Sequence, residues 1–147
     1  MRRFFNFLLA GSFLFIGSCC GSKFCDNSSD RTIELRGFQK SDIRSVELIT
    51  YIDGSKVSID GVGVRDKEDY LTAEFNSPVK PKPGTTTYQL KINPSNEIYT
   101  IDGFELGEEV CNNCFPVTPP GQYYEVLRAY NVNGKRQQGS LISIFKQ

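Results

Sequence analysis

From Thr32 onward the chain alternates apolar and polar residues in short runs separated by turn-forming pairs. Tyr88, Leu90 and Ile92 alternate with Gln89 and Lys91, and Leu71, Ala73 and Phe75 alternate with Thr72 and Glu74. A period of two puts each apolar set on one side of a half-buried strand. The same pattern predicts strands over residues 32–36, 46–52, 56–59 with a continuation to 64, 70–75, 86–92, 97–101, 104–110, 124–132 and 141–145. Residues 41–49 and 123–130 also carry apolar side chains at helix-like spacing. β-Branched and aromatic residues dominate both segments, which favours strand.

Turn chemistry punctuates these runs. Asp53-Gly54, Asp60-Gly61, Asp102-Gly103 and Asn133-Gly134 are pairs that accept the positive φ angles of tight hairpin turns. Asp102-Gly103 and Asn133-Gly134 carry the strongest hairpin signals. Residues 78–84 and 117–121 hold proline where a ladder needs donors, so both are expected to cross between strands as loops. Seven to nine short strands with turns at this spacing predict an all-β fold, an antiparallel two-sheet sandwich of immunoglobulin-like or transthyretin-like kind. No internal repeat is visible.

The first nineteen residues follow a different grammar. Met1-Arg2-Arg3 is a positive start, and residues 4–16 form a nearly all-apolar run of thirteen. At about 1.5 Å per residue such a helix reaches roughly 20 Å, short of the ~30 Å hydrocarbon core of a bilayer. A positive start, a short apolar run and small residues before a cut are the marks of a secretory signal. Ile16-Gly17-Ser18-Cys19 adds a branched aliphatic residue, two small ones and a cysteine. This order resembles the lipobox of bacterial lipoproteins, where the lipoprotein signal peptidase cuts. A frame one residue later, on Cys20, would put Gly17 where the lipobox takes an aliphatic residue. An ordinary signal peptide or an uncleaved anchor are the plainer readings.

That resemblance implies a processing route. Cys19 receives a diacylglycerol, the segment before it is removed, and the new amino terminus is acylated with a fatty acid such as palmitate. Each buried methylene contributes about 0.8 kcal/mol, so several chains hold stably where one holds marginally. The expected organisation is a signal peptide over 1–18, a lipidated tether over 19–31 and a β-sandwich domain over 32–147. The expected location is the bacterial cell envelope, with membrane lipid as a partner through Cys19. Cys20 stands where aspartate, in some lipoprotein families, retains the protein at the inner membrane. The outer membrane facing the periplasm is therefore favoured, with surface display as the alternative.

Charge narrows the partners. The chain carries 17 basic and 17 acidic residues, and loss of Arg2 and Arg3 with the signal leaves it slightly acidic. It lacks the basic footprint of a nucleic-acid binder. Its partners are expected to be an envelope protein or a glycan, and no nucleic acid. Histidine and tryptophan are both absent. Without imidazole the chain cannot run Ser-His-Asp or Cys-His catalysis, bind zinc through histidine, or switch charge near neutrality through histidine.

With Cys19 lipidated, Cys20, Cys25, Cys111 and Cys114 remain as disulfide candidates, an even number suited to an oxidising compartment. Chain entropy favours joining the two clusters, at about 4–5 kcal/mol for the long loop against about 2 for Cys111–Cys114 alone. Read instead as a redox CxxC, Cys111-Asn112-Asn113-Cys114 lacks the helix start that makes a reactive thiolate. Glu108 and Glu109 before it would raise a thiol pKa. The spacing also departs from a four-cysteine zinc site. Asp60 with Asp66, Glu68 and Asp69 could approach calcium ligation but matches no calcium loop, so no metal and no cofactor is expected. Gly61-Val62-Gly63 lacks the strand–turn–helix setting of a phosphate loop. Tyr123-Tyr124 beside Pro119-Pro120 is a candidate contact patch.

These features predict a lipid-anchored, non-enzymatic binding or assembly module. The rivals are a small envelope redox factor using Cys111 and Cys114, and a pilus-like subunit that accepts a neighbour's strand at an open sheet edge.

Overall fold

Ten strands and one 3-10 turn make up the described residues, 31–76, 80–110 and 123–146, of the computed structural model. In chain order they are β1 (Thr32–Arg36), the turn Lys40–Asp42, β2 (Ser45–Ile52), β3 (Ser55–Val62), β4 (Val64–Asp66), β5 (Leu71–Glu74), β6 (Thr86–Asn93), β7 (Glu97–Val110), β8 (Tyr123–Val132), β9 (Lys135–Gln138) and β10 (Ile142–Phe145). The chain divides into two units, Met1–Cys25 with Glu109–Tyr124, and Asp26–Glu108 with Glu125–Gln147. In the first, Tyr124 donates its hydroxyl to Glu109 at 2.9 Å and Tyr123 is exposed.

The second unit holds a four-stranded sheet in the order β10-β1-β5-β4 and a six-stranded sheet in the order β3-β2-β6-β7-β8-β9. β1 and β10 run parallel, whereas β1–β5, β4–β5, β2–β3, β2–β6, β6–β7 and β8–β9 are antiparallel. The antiparallel two-sheet sandwich expected from the sequence is present, with ten strands instead of seven to nine.

Alternation decides which side each strand buries. Across the six-stranded sheet, Leu48 pairs with Leu90 and Leu90 with Tyr99, while Thr50 pairs with Tyr88 and Tyr88 with Ile101. Across the four-stranded sheet, Ile33 lies between Ile142 and Ala73, and Leu35 between Ile144 and Leu71. All of these are buried, and the apolar ones form one cluster that joins the two sheets. Full burial of a side chain such as Leu90 or Leu35 contributes about 1.5–3 kcal/mol. β3 and β4 follow one another at one end of each sheet, and β9 and β10 do the same at the opposite ends.

Two of the predicted hairpins form. Asp53 and Gly54 have φ of 49° and 77°, and Asn133 and Gly134 have 50° and 76°, as type I′ turns require. Asp102-Gly103 is different: residues 97–101 and 104–110 belong to one continuous strand, β7. Gly103 has φ of 59°, and the buried residues Ile101 and Phe104 lie three apart, so one extra residue is accommodated as a bulge. The same positive φ that suits a hairpin suits this bulge, and the Asn131 amide on β8 bonds Asp102 at 3.0 Å to hold it in the sheet.

Asp60-Gly61 also fails to turn, because both residues continue β3 opposite Leu48 and Glu47. β9 escaped the pattern because Lys135–Gln138 has no apolar residue; the turn at Asn133-Gly134 folds it back onto β8. Residues 41–49 hold the end of the 3-10 turn and then β2, with no α-helix, and residues 123–130 are strand.

A Cβ added at Gly103 would collide with the Asn131 side chain, whereas one at Gly61 meets only a backbone oxygen at 4.0 Å. Gly103→Ala is therefore expected to destabilise the protein by about 1–3 kcal/mol, and Gly61→Ala by less than about 0.5. Urea denaturation midpoints of the two variants check this contrast.

Candidate functional site

Glu34 and Arg36 lie on the side of β1 opposite its core residues, and the parallel register places Ser143 beside Glu34 and Phe145 beside Arg36. Glu34 is a carboxylate only 7% exposed. One of its oxygens, Oε2, accepts from Arg36 Nε at 2.9 Å, from Arg36 Nη2 at 2.7 Å and from Ser143 Oγ at 2.9 Å. A buried carboxylate is tolerated when it is paired and hydrogen-bonded, and these contacts do both. The Arg36 guanidinium also lies 4.9 Å above the Tyr70 ring, which fixes its plane.

Tyr130 links this cluster to the other sheet. Its ring is buried in the core from β8, and its hydroxyl accepts from the Ser143 backbone N–H at 2.7 Å. The phenol oxygen lies 3.0 Å from each of two acceptors for its proton, the Leu141 carbonyl and Gln137 Oε1. Burial pushes the Tyr130 phenol above its ordinary value of 10.0, opposed in part by the Ser143 contact. It stays protonated through neutral pH and serves as a hydrogen-bonding bridge, not as a base.

Arg36, Ser143 and Tyr130 line one wall of a recess of ≈ 410 Å³ at the corner where β9 passes into β10, with Glu34 behind them bonded to Arg36 and Ser143. Gln137, Gln138 and Ser140 line another wall, with Phe145, 54% exposed, at the rim. Gly139 turns the corner with φ of 154° and bonds its N–H to the Arg128 carbonyl at 3.0 Å. The Arg36 charge is met by Glu34 behind the wall, while Gln138 and Ser140 are exposed.

A second, smaller hollow of ≈ 360 Å³ lies beside the 3-10 turn, lined in part by Phe38, Asp42, Pro94 and Lys146. The Lys146 ammonium donates to Asp42 Oδ2 at 2.6 Å and lies 5.9 Å from the Phe38 ring. That bond, with a further one from the Gln39 backbone N–H, holds the Asp42 carboxyl below its ordinary value of 3.8. In return Asp42 raises Lys146 above 10.5. The pair closes the end of β10 against the turn.

Cys19, Cys20, Cys25, Cys111 and Cys114 all lie outside the described residues, as do Pro119 and Pro120. Asp66 pairs with Lys40 at 3.5 Å, and Asp60 accepts from Ser58 at 3.3 Å. Among the described residues no group of three or more carboxylates is close enough to hold a metal ion. β3 ends the six-stranded sheet with Val57 and Ile59 exposed, and its ladder with β2 shifts register between Thr50 and Tyr51. Such an irregularity bends an edge strand away from further pairing. The Glu34–Arg36–Ser143–Tyr130 cluster went unnoticed in the sequence because Ser143 is 109 positions from Glu34. The local signal was a charged pair at Glu34 and Arg36 inside an otherwise apolar strand.

Tyr130→Phe removes the acceptor of a buried backbone N–H and is expected to cost about 1–3 kcal/mol in a chemical denaturation midpoint. The Asp42–Lys146 pair stabilises the fold above pH 3.8, where unfolded Asp42 is ionised, and loses that contribution as pH falls through the lowered native value. On the alkaline side the contribution is full below 10.5 and is lost as pH rises through the raised Lys146 value. The stability difference between the parent chain and Asp42→Asn, followed by denaturation across pH, should shrink at both extremes.

Comparison of the chain with protein-family models, curated proteins and solved structures returns no match.

Proposed function

We propose that this protein is a lipid-anchored binding module of the bacterial cell envelope, held to a membrane through Cys19 and acting without catalysis. The lipobox-like Ile16-Gly17-Ser18-Cys19 supports the anchor. The observation that carries the binding reading is the recess at the β9–β10 corner. The Arg36 guanidinium on its wall is neutralised through short hydrogen bonds by the Glu34 carboxylate behind it, and the Tyr130 phenol is held protonated. A catalytic acid or base must exchange a proton with substrate, which a carboxylate engaged in this way is poorly placed to do. Beside the Arg36 guanidinium, whose charge Glu34 offsets, the recess presents neutral hydrogen-bonding groups and one ring, the equipment of reversible recognition.

Residues 19–31 would serve as the tether, at up to ~3.3–3.6 Å per residue when extended. That length keeps the sandwich within a few tens of ångströms of the bilayer.

Mass spectrometry of the protein isolated from its native envelope is expected to find an amino terminus at a diacylglyceryl-modified, acylated Cys19. A Cys19→Ala variant is expected to leave the membrane fraction or to retain residues 1–18. An unmodified thiol at Cys19 in the native protein would overturn the anchor.

A further inference from the structure

The geometry points to a neutral glycan as the ligand of the recess between β9 and β10, an inference that rests on the binding reading above and names its ligand class. Arg36 lines the recess, and its charge is met by the Glu34 carboxylate behind the wall. Arg36 directs Nε and Nη2 to Glu34, and Glu34 takes Ser143 as a further donor. An anion arriving there would have to compete with two hydrogen bonds from Arg36 to one oxygen of a carboxylate that is only 7% exposed, and would leave that carboxylate uncompensated. A cation would face Arg36.

The remaining wall selects further. Gln138 is exposed and brings both donor and acceptor on one amide, and Ser140, also exposed, brings a hydroxyl. Gln137 already accepts from Tyr130 through Oε1, which leaves its amide N–H groups for an outside acceptor. Two neighbouring hydroxyls of a sugar ring match an amide that can donate to one and accept from the other. An apolar ligand would bury these groups without partners, which is unfavourable.

The last element is Phe145. It is 54% exposed at the end of β10, beside Arg36 in the register, and forms the rim of the recess. An aromatic face carries negative charge density, so it attracts the weakly positive C–H groups on the apolar face of a pyranose. A large exposed ring beside amides and a hydroxyl is thus suited to a ligand with one apolar face and a polar edge. The volume of ≈ 410 Å³, open to solvent along its length, suits a short stretch of a longer chain of sugars.

The test uses the full chain purified in a detergent without a sugar headgroup, titrated calorimetrically with neutral hexasaccharides of glucose, xylose and N-acetylglucosamine, and with an oligogalacturonate as the acidic comparison. At least one neutral oligosaccharide is expected to bind with a dissociation constant of about 10 µM to 1 mM, which corresponds to roughly 4–7 kcal/mol. Its affinity should change less than about twofold between 50 and 500 mM salt, because no ion pair is made to the ligand. Phe145→Ala and Gln138→Ala are exposed substitutions that should leave the thermal midpoint within 2–3 °C, roughly the shift a surface change produces. Each should weaken binding at least tenfold.

Failure of every neutral oligosaccharide to bind overturns the inference, as does binding that neither variant weakens. Preference for the oligogalacturonate, with steep salt dependence abolished by Arg36→Met, overturns it in favour of an anionic ligand. None of these results touches the lipid on Cys19, which mass spectrometry reads separately, so the two proposals fail independently.

Discussion

A carboxylate at Glu34 is the most demanding group in the described chain. Burial in low dielectric penalises its charge, and the surrounding strands must supply compensation or the site will not close. Arg36 comes from the same strand, two residues on, and alternation alone brings it to the same side. Ser143 comes from β10, and only the parallel pairing of β1 with β10 puts it opposite Glu34. Ser143 is itself pinned through its backbone N–H by Tyr130, whose ring is part of the core. The need to satisfy one charge therefore couples β1 and β10 of one sheet to β8 of the other, with Tyr70 before β5 backing the guanidinium.

The same coupling shapes the surface. Because Tyr130 also holds the Leu141 carbonyl and Gln137, the β9–β10 corner is drawn in beside the cluster. The recess is thus a by-product of a structural lock: its inner wall is rigid and electrically balanced, and its outer wall is left to exposed amides and an aromatic rim. For the proposed binding role, a preorganised wall would lower the entropic cost, since few side chains would have to be immobilised. The proposed arrangement of a tethered sandwich with such a recess is one in which the membrane supplies location and the protein supplies selectivity.

Alternation in Tyr88–Ile92 and Leu71–Phe75 was a faithful guide because both strands lie inside their sheets and turn their apolar residues to one side, although Thr72 on the other side of β5 is buried as well. It was silent on β9, an edge strand with polar residues throughout, since nothing there needs to be hidden from water. Turn pairs were informative about φ and ambiguous about topology. Asn133-Gly134 and Gly103 all adopt positive φ, yet the first pair reverses the chain and the last residue sits in a bulge within β7. What separates them is the neighbour: Asn131 on β8 bonds Asp102 and keeps β7 running. The polar cluster was not read from the sequence. Glu34 and Arg36 are charges that alternation puts on one side of β1, whereas Ser143 and Tyr130 are ordinary residues until the sheets assemble.

By itself the order of residues determined that the chain would build strands, where two of its hairpins turn, and which faces those strands would bury. These follow from side-chain period and backbone stereochemistry, which act over a few neighbours. It also carries the lipobox-like segment, which in the proposed reading enzymes would recognise directly from a short stretch of chain. Tertiary structure decided the parallel docking of β10 on β1, the conversion of Asp102-Gly103 into a bulge, and the meeting of Glu34, Arg36, Ser143 and Tyr130. Those outcomes depend on pairings between segments up to 109 residues apart, whose cost and reward appear only when the two sheets close on a shared core.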